Sequence, residues 1–244
     1  VSGAVKGIEY MLPMFAPDGA WAEGASYWNY CTTYFTRCMA TFESAFGDTW
    51  GILQQEGIRE TMLFPYTVEG PGGIFNYHDC GGGKSTDKSP NSYFSKYFAD
   101  DKIKSLRMYE MKNAQNASID DFLYLDTGAE AAIPENLPLD IAYRQIETGI
   151  MRASWTDTSS SYVGYHCGPN SPVHRNFDSG TFIFDSLGVR WAEELGSDSY
   201  VLPNYWATEN NPIYRVRTEG QNCYVFNPSE NSGQRFESED KILR

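Results

Sequence analysis

The sequence is short of several things at once. No run approaches the roughly 18 uninterrupted apolar residues of a membrane-spanning helix, and the start VSGAVKGIEY has neither the charged nor the apolar region of a signal peptide. It therefore carries no address. Five cysteines (Cys31, Cys38, Cys80, Cys167, Cys223) are an odd number without a CxxC pair, which signals neither a disulfide framework nor a cysteine zinc site, so buried free thiols are expected. Basic residues are scarce beside acidic ones, 19 against 32. The net charge of −13 argues against nucleic acid and anionic membrane as partners. Histidine is scarcer still, with three in 244 residues.

Aromatic residues are plentiful instead. They make up 15% of the chain, with 17 tyrosines and six tryptophans. Rings with polar tips suit sugar-stacking clefts, and they equally suit cores and interfaces. With 41% hydrophobic residues the chain can bury a sizeable core.

Periodicity changes along the chain. From Ser26 to Phe46, Tyr27, Tyr30, Tyr34, Cys38, Thr41 and Ala45 recur every three to four residues and predict a helix that Gly47 ends. Further helices are expected over Ile52–Leu63, closed by Pro65, and over Asn91–Ala99, Asp101–Ala114 and Ile119–Leu125. Between them VEGPGGIFNYHDCGGGKSTDKSP reads as a long loop. After Pro138 come short β-branched and aromatic segments: IETGIMRASW, SYVGYH, TFIFDS, VRWAEEL, YRVRTEG and NCYVFNP. Their turn-rich separators predict an antiparallel sandwich. The chain thus divides into a helical part, 1–137, and a strand part, 138–244, an α+β arrangement.

Two motifs lead nowhere. CGGGKST lacks the first glycine of a phosphate loop, since His78 stands five positions before Gly83, and no strand leads into a helix there. Asn116-Ala117-Ser118 has only the form of a glycosylation sequon.

Two others carry chemistry. In PDGAWAEGASYWNY, Tyr27 falls in the first turn of the expected helix, where backbone amides favour a phenolate. In HRNFDSGTF, His174 stands four before Asp178 with Asn176 midway, open to reading as a metal site, a catalytic base or a strand edge. The two segments in this order resemble the heparinase II/III-like polysaccharide lyases, with the pattern DG-x-x-x-EG-x-x-Y followed by H-x-H-x-D-x-G-x-F. FNYHD (Phe75 to Asp79) and EGQNCYVFNP (Glu219 to Pro228) extend the likeness.

The resemblance implies the late helices of an (α/α) toroid running into an antiparallel β-sandwich. It also implies β-elimination on a glycan containing uronic acid, an acidic polysaccharide or oligosaccharide, giving a 4,5-unsaturated product. Tyr27 is then the acid, or acid and base, and His174 the base. The carboxylate neutraliser of such lyases lies further upstream than the 26 residues before Tyr27, so the chain reads as a fragment, feebly active at most by itself. The zinc positions of the family fall on Asn176, Glu194 and Gln221. Zinc favours imidazole and thiolate, so no zinc is expected there, and a hydrogen-bonded cluster would fill the site.

Arg152 is a candidate for a substrate carboxylate, Tyr30, Tyr200 and Tyr205 for the cleft, and His78 for reach from the loop. His166 reads as structural. Two other functions compete: an inactive glycan-binding or structural relative, and a glycoside hydrolase with Asp18 and Glu23 as its carboxylates.

Overall fold

The computed structural model describes residues 2–113, 117–170, 174–227, 233–235 and 242. Helices and an antiparallel sheet form two compact units. One comprises residues 1–21, 28–65 and 86–137; the other comprises 22–27, 66–85 and 138–244. Two contiguous parts were expected, 1–137 and 138–244, and this needs amending. Segment 66–85 folds with the later residues because its polar and aromatic groups pair with the sheet, and segment 22–27 because Glu23, Ser26 and Tyr27 meet His174 and Cys80, as detailed below.

The first unit holds α1 (Ser2–Glu9), most of α2 (Gly24–Phe46), α4 (Pro90–Tyr97), α5 (Asp101–Asn113) and α6 (Ile119–Tyr124), with the single turn α3 (Phe64–Thr67) at its edge. No described helix is long and apolar enough to cross a membrane. The buried stripe of α2 runs through Trp28, Thr32, Phe35, Met39 and Phe42, the three-to-four spacing of one helix face. Tyr30 and Tyr34 lie off that stripe and are exposed. Phe35 packs on Phe15 and Phe94, with ring centroids 5.7 and 6.2 Å apart. Gly47, at φ 70°, ends the helix in the left-handed conformation that glycine adopts without cost.

The helix expected over Ile52–Leu63 is instead two 3₁₀ turns, Ile52–Gln54 and Glu60–Met62. Gly57 separates them at φ 83°, and a Cβ there would lie 1.9 Å from the Phe15 carbonyl oxygen. Close backbone approach outweighs helical propensity at that point. Farther along, Ser118 and Asp121 close a capping box on α6. Asn116 of the sequon lies outside the described residues.

The second unit is built on a five-stranded antiparallel meander of β3 (Asp140–Tyr143), β4 (Thr148–Arg152), β5 (Tyr162–His166), β6 (Thr181–Ser186) and β7 (Val189–Ala192). A two-stranded ribbon, β1 (Glu69–Gly70) and β2 (Gly73–Ile74), is the other sheet among the described residues. YRVRTEG and the described part of NCYVFNP form no strand; a 3₁₀ turn at Thr218–Gly220 stands in the first. There Gly220 presses on the Tyr214 carbonyl, where a Cβ would lie 1.9 Å away, and Arg217 turns to pair with Glu219 at 2.9 Å. The chain doubles back too tightly for extended pairing.

Side chains alternate across the central strands, leaving one buried face arranged in rows. Register aligns Arg152, Tyr162 and Asp185 in one row, Ile150, Gly164 and Ile183 in the next, and Thr148, His166 and Thr181 in the third. The segment from Tyr66 to His78 crosses these rows in turn. Arg152 Nη2 donates to the carbonyls of Tyr66, Thr67 and Glu69 at 3.2, 2.7 and 3.0 Å, and Gly72 N donates to Asp185 Oδ2 at 2.9 Å. Phe75 covers Gly164, where a Cβ would lie 2.6 Å from its ring. Tyr77 stacks on His166, centroids 4.7 Å apart. The irregular loop gains its order from this face, and it delivers His78, Asp79 and Cys80 to the site.

Candidate active site

Tyr27 and His174, far apart in sequence, meet within the second unit. Tyr27 Oη is 3.0 Å from His174 Nδ1, and the rings stack with centroids 4.1 Å apart and planes 21° from parallel. Tyr200 closes a triangle, its hydroxyl 2.5 Å from Tyr27 Oη and 3.3 Å from His174 Nδ1. Trp206 packs edge-on to His174 at 5.6 Å. His174 keeps about a quarter of its side chain exposed. A reactant thus has a way in.

Three local devices set this geometry. Gly24, at φ 81°, opens α2 against Cys80, where a Cβ would lie 2.6 Å from the cysteine Cβ. Ser26 then bonds Cys80 Sγ through its backbone amide at 3.4 Å and through its hydroxyl at 3.3 Å, fixing the turn that presents Tyr27. On the other side the His174 backbone amide donates to Glu23 Oε1 at 3.4 Å, and Asp79 N donates to the His174 carbonyl at 3.3 Å.

Asp79 is the buried charge beneath the pair. Its Oδ2 lies 3.7 Å from His174 Nδ1, and its Oδ1 accepts from Tyr205 Oη at 2.6 Å. Burial raises its carboxyl above the usual range, against the opposing pull of Tyr205 and His174. Tyr27 is raised as well, first by burial, with Asp79 and Glu23 adding to it and the Tyr200 hydrogen bond opposing. Desolvation and two nearby acids thus work against the helix N-terminal amides, which by themselves favour a phenolate. A tyrosine hydroxyl so placed can donate a proton, the acid role that the resemblance implies. Burial likewise raises Tyr200.

Of the other residues singled out in the sequence, Tyr200 and Tyr205 join the cluster. Tyr30 does not: it is exposed in the first unit and meets Tyr34 edge-on at 5.2 Å. Arg152 is not available to a substrate carboxylate, because it is buried, spends Nη2 on three carbonyls and lies 3.6 Å over the Trp155 ring. His78 is fully buried and so cannot reach a substrate from its loop as expected. Among the hydrolase carboxylates, Glu23 is engaged by the His174 amide, and Asp18 belongs to the other unit. Asp79 and Trp206 were missed as individual residues; FNYHD contains Asp79, but nothing local distinguishes it from a surface acid.

At the positions where the resemblance puts zinc, Asn176 donates Nδ2 to the His78 carbonyl at 2.7 Å, and Gln221 donates Nε2 to the Arg215 carbonyl. Glu194 accepts from Thr181 Oγ1 at 2.5 Å and from Gly196 N at 3.2 Å. Burial, with the charge of Asp178, pushes the Glu194 carboxyl up to about 7. Two amides and a carboxyl that holds its proton this readily do not fit zinc, which wants thiolate or imidazole.

No family model and no curated protein matches this sequence. Solved structures do. A heparinase III gene product superposes with a TM-score of 0.58 at 16% identity, covering 81% of this chain and 29% of that one. The heparan sulfate lyase HepC from Pedobacter heparinus gives 0.56 at 13%, covering 80% and 29%, and another heparinase III gives 0.57 at 15%, covering 79% and 30%. The chain has the fold of part of these polysaccharide lyases, spanning under a third of their length.

Proposed function

We propose that this chain is part of a lyase that cleaves an acidic, uronate-containing polysaccharide by β-elimination. In this reading the helical unit belongs to an (α/α) toroid and the sheet to a β-sandwich. One observation carries the proposal: a tyrosine hydroxyl 3.0 Å from an accessible histidine, their rings stacked above a buried carboxyl group. A base removes the proton at C5 of the uronate, and its electron pair forms the C4–C5 double bond. The C4–O bond breaks, and the departing oxygen needs a proton.

Tyr27 supplies that proton. His174 accepts the C5 proton, and Asp79 steadies the imidazolium that results. Tyr200 holds Tyr27 and can reload it through their 2.5 Å contact. The residues at Asn176, Glu194 and Gln221 hold no zinc in this scheme, and elimination proceeds without it.

The inactive glycan-binding relative stays in competition because three of the family's metal positions have changed. Ultraviolet absorbance of the new double bond separates the readings, measured with the full-length protein on heparan, hyaluronan, chondroitin and alginate oligosaccharides. Absorbance that rises with the wild type supports the lyase. A flat trace on every substrate from folded protein overturns it in favour of the binding relative.

A further inference from the structure

Behind the Tyr27–His174 pair, where Tyr66–His78 crosses the third row of the sheet, lie the two histidines that the proposed chemistry leaves unused. His78 and His166 are both fully buried, their rings 4.7 Å apart and 76° from parallel. Asp178, also fully buried, joins them. Each of the three offers a ligand atom, and these atoms lie within 4.8 Å of one another.

Hydrogen bonding leaves this cluster unfinished. His166 Nδ1 is 2.7 Å from Thr148 Oγ1, while its Nε2 has no partner. His78 Nδ1 is 2.9 Å from Asp178 Oδ1, and its Nε2 has no partner either. Asp178 Oδ2 accepts from the His78 backbone amide at 2.6 Å, and Oδ1 faces the His78 Nδ1. Two buried imidazole nitrogens without a partner, beside a buried carboxylate, are a costly arrangement unless something binds them.

The surroundings hold the groups still. Thr148, His166 and Thr181 share one row of the sheet, Tyr77 stacks on the His166 ring, and Asn176 Nδ2 grips the His78 carbonyl at 2.7 Å. At Gly168 a Cβ would lie 2.6 Å from His166 Cε1, so the glycine is what lets the chain pass the ring. No lysine or arginine pairs with Asp178 among the described residues; its only ion-pair partner there is His78. A divalent cation would satisfy the open nitrogens and balance the carboxylate together.

We propose that His78, His166 and Asp178 bind a divalent metal ion of the zinc class, His166 through Nε2. Two imidazoles and a carboxylate suit zinc, cobalt or nickel, and not calcium or magnesium, which take oxygen donors. None of the three ligands is at Asn176, Glu194 or Gln221. The ion sits under the catalytic pair: Asp79 follows His78 directly, and His174 precedes Asp178 by four residues. It would fix both segments without touching substrate.

Zn²⁺ content by plasma mass spectrometry, and the visible spectrum and X-ray absorption of the Co²⁺-substituted full-length protein, test this directly. The expected result is one ion per chain with two imidazoles in its first shell at about 2.0–2.1 Å. His166→Gln and Asp178→Asn should each weaken Zn²⁺ binding about 100-fold, with Gln221→Ala leaving it unchanged. Folded wild-type protein that takes up neither ion, or a bound ion whose shell lacks imidazole, would overturn the proposal. If the buried variants fail to fold, the wild-type absorption spectrum alone decides. Metal uptake is read without substrate, so its failure is distinct from a failure of the lyase reading.

Discussion

Replacing Tyr27 with phenylalanine removes one oxygen and leaves the ring where it is. The stack on His174, 4.1 Å between centroids, needs no hydroxyl. What disappears is the contact to His174 Nδ1 at 3.0 Å and that to Tyr200 Oη at 2.5 Å. Both partners are open enough for water to replace the lost group, so stability should change by no more than ~1 kcal/mol. Catalysis should change far more. A positioned general acid contributes about 10²–10⁴ in rate, or ~2.7–5.4 kcal/mol of barrier. Initial rates of ultraviolet absorbance, compared with thermal unfolding of the same samples, separate the two effects. A folded Tyr27→Phe protein that keeps more than a tenth of the wild-type rate, beside a Tyr200→Phe protein that loses 100-fold, would refute the assignment and pass the acid role to Tyr200.

Other outcomes follow from the packing. Asp121→Asn in the first unit strips Arg107 of its closest buried partner, at 2.6 Å, and should cost about 3–5 kcal/mol in denaturant unfolding. Although burial works against it, Arg107 holds the Asp121 carboxyl below the usual 3.8, so the pair's stabilisation is present above that pH and is lost as pH falls through the folded value. Glu194 has the opposite sign. Its carboxyl moves from 4.5 to about 7, so the folded state holds the proton longer, and stability is greatest below pH 4.5 and declines as pH rises through 7, by ~3 kcal/mol at most. Glu194→Gln should flatten that slope in unfolding curves recorded with EDTA; an unchanged slope would mean another group titrates. Gly164→Ala places a Cβ 2.6 Å from the Phe75 ring and should cost about 1–3 kcal/mol through overpacking, seen as a lowered Tm.

The sequence by itself carried the local parts of this structure. The existence of α2, its end at Gly47 and four of the five strands of the meander rest on propensity and alternation, which act over a few residues. The face of α2 picked out by Tyr30 and Tyr34 is nevertheless exposed, and the packed face is the neighbouring one through Trp28 and Phe35. Tyr27 and His174 were legible because their motifs are contiguous. The tertiary structure decided the rest, since it depends on contacts between distant segments. Local spacing could not tell that residues 66–78 lie row by row on the sheet, and that course made Arg152 an internal brace and buried His78. Nor could it tell that Asp79 comes within 3.7 Å of His174. The same burial raised the Tyr27 hydroxyl: position on the helix favours a phenolate, but desolvation beside Asp79 and Glu23 is the larger effect, and only the packed chain supplies it.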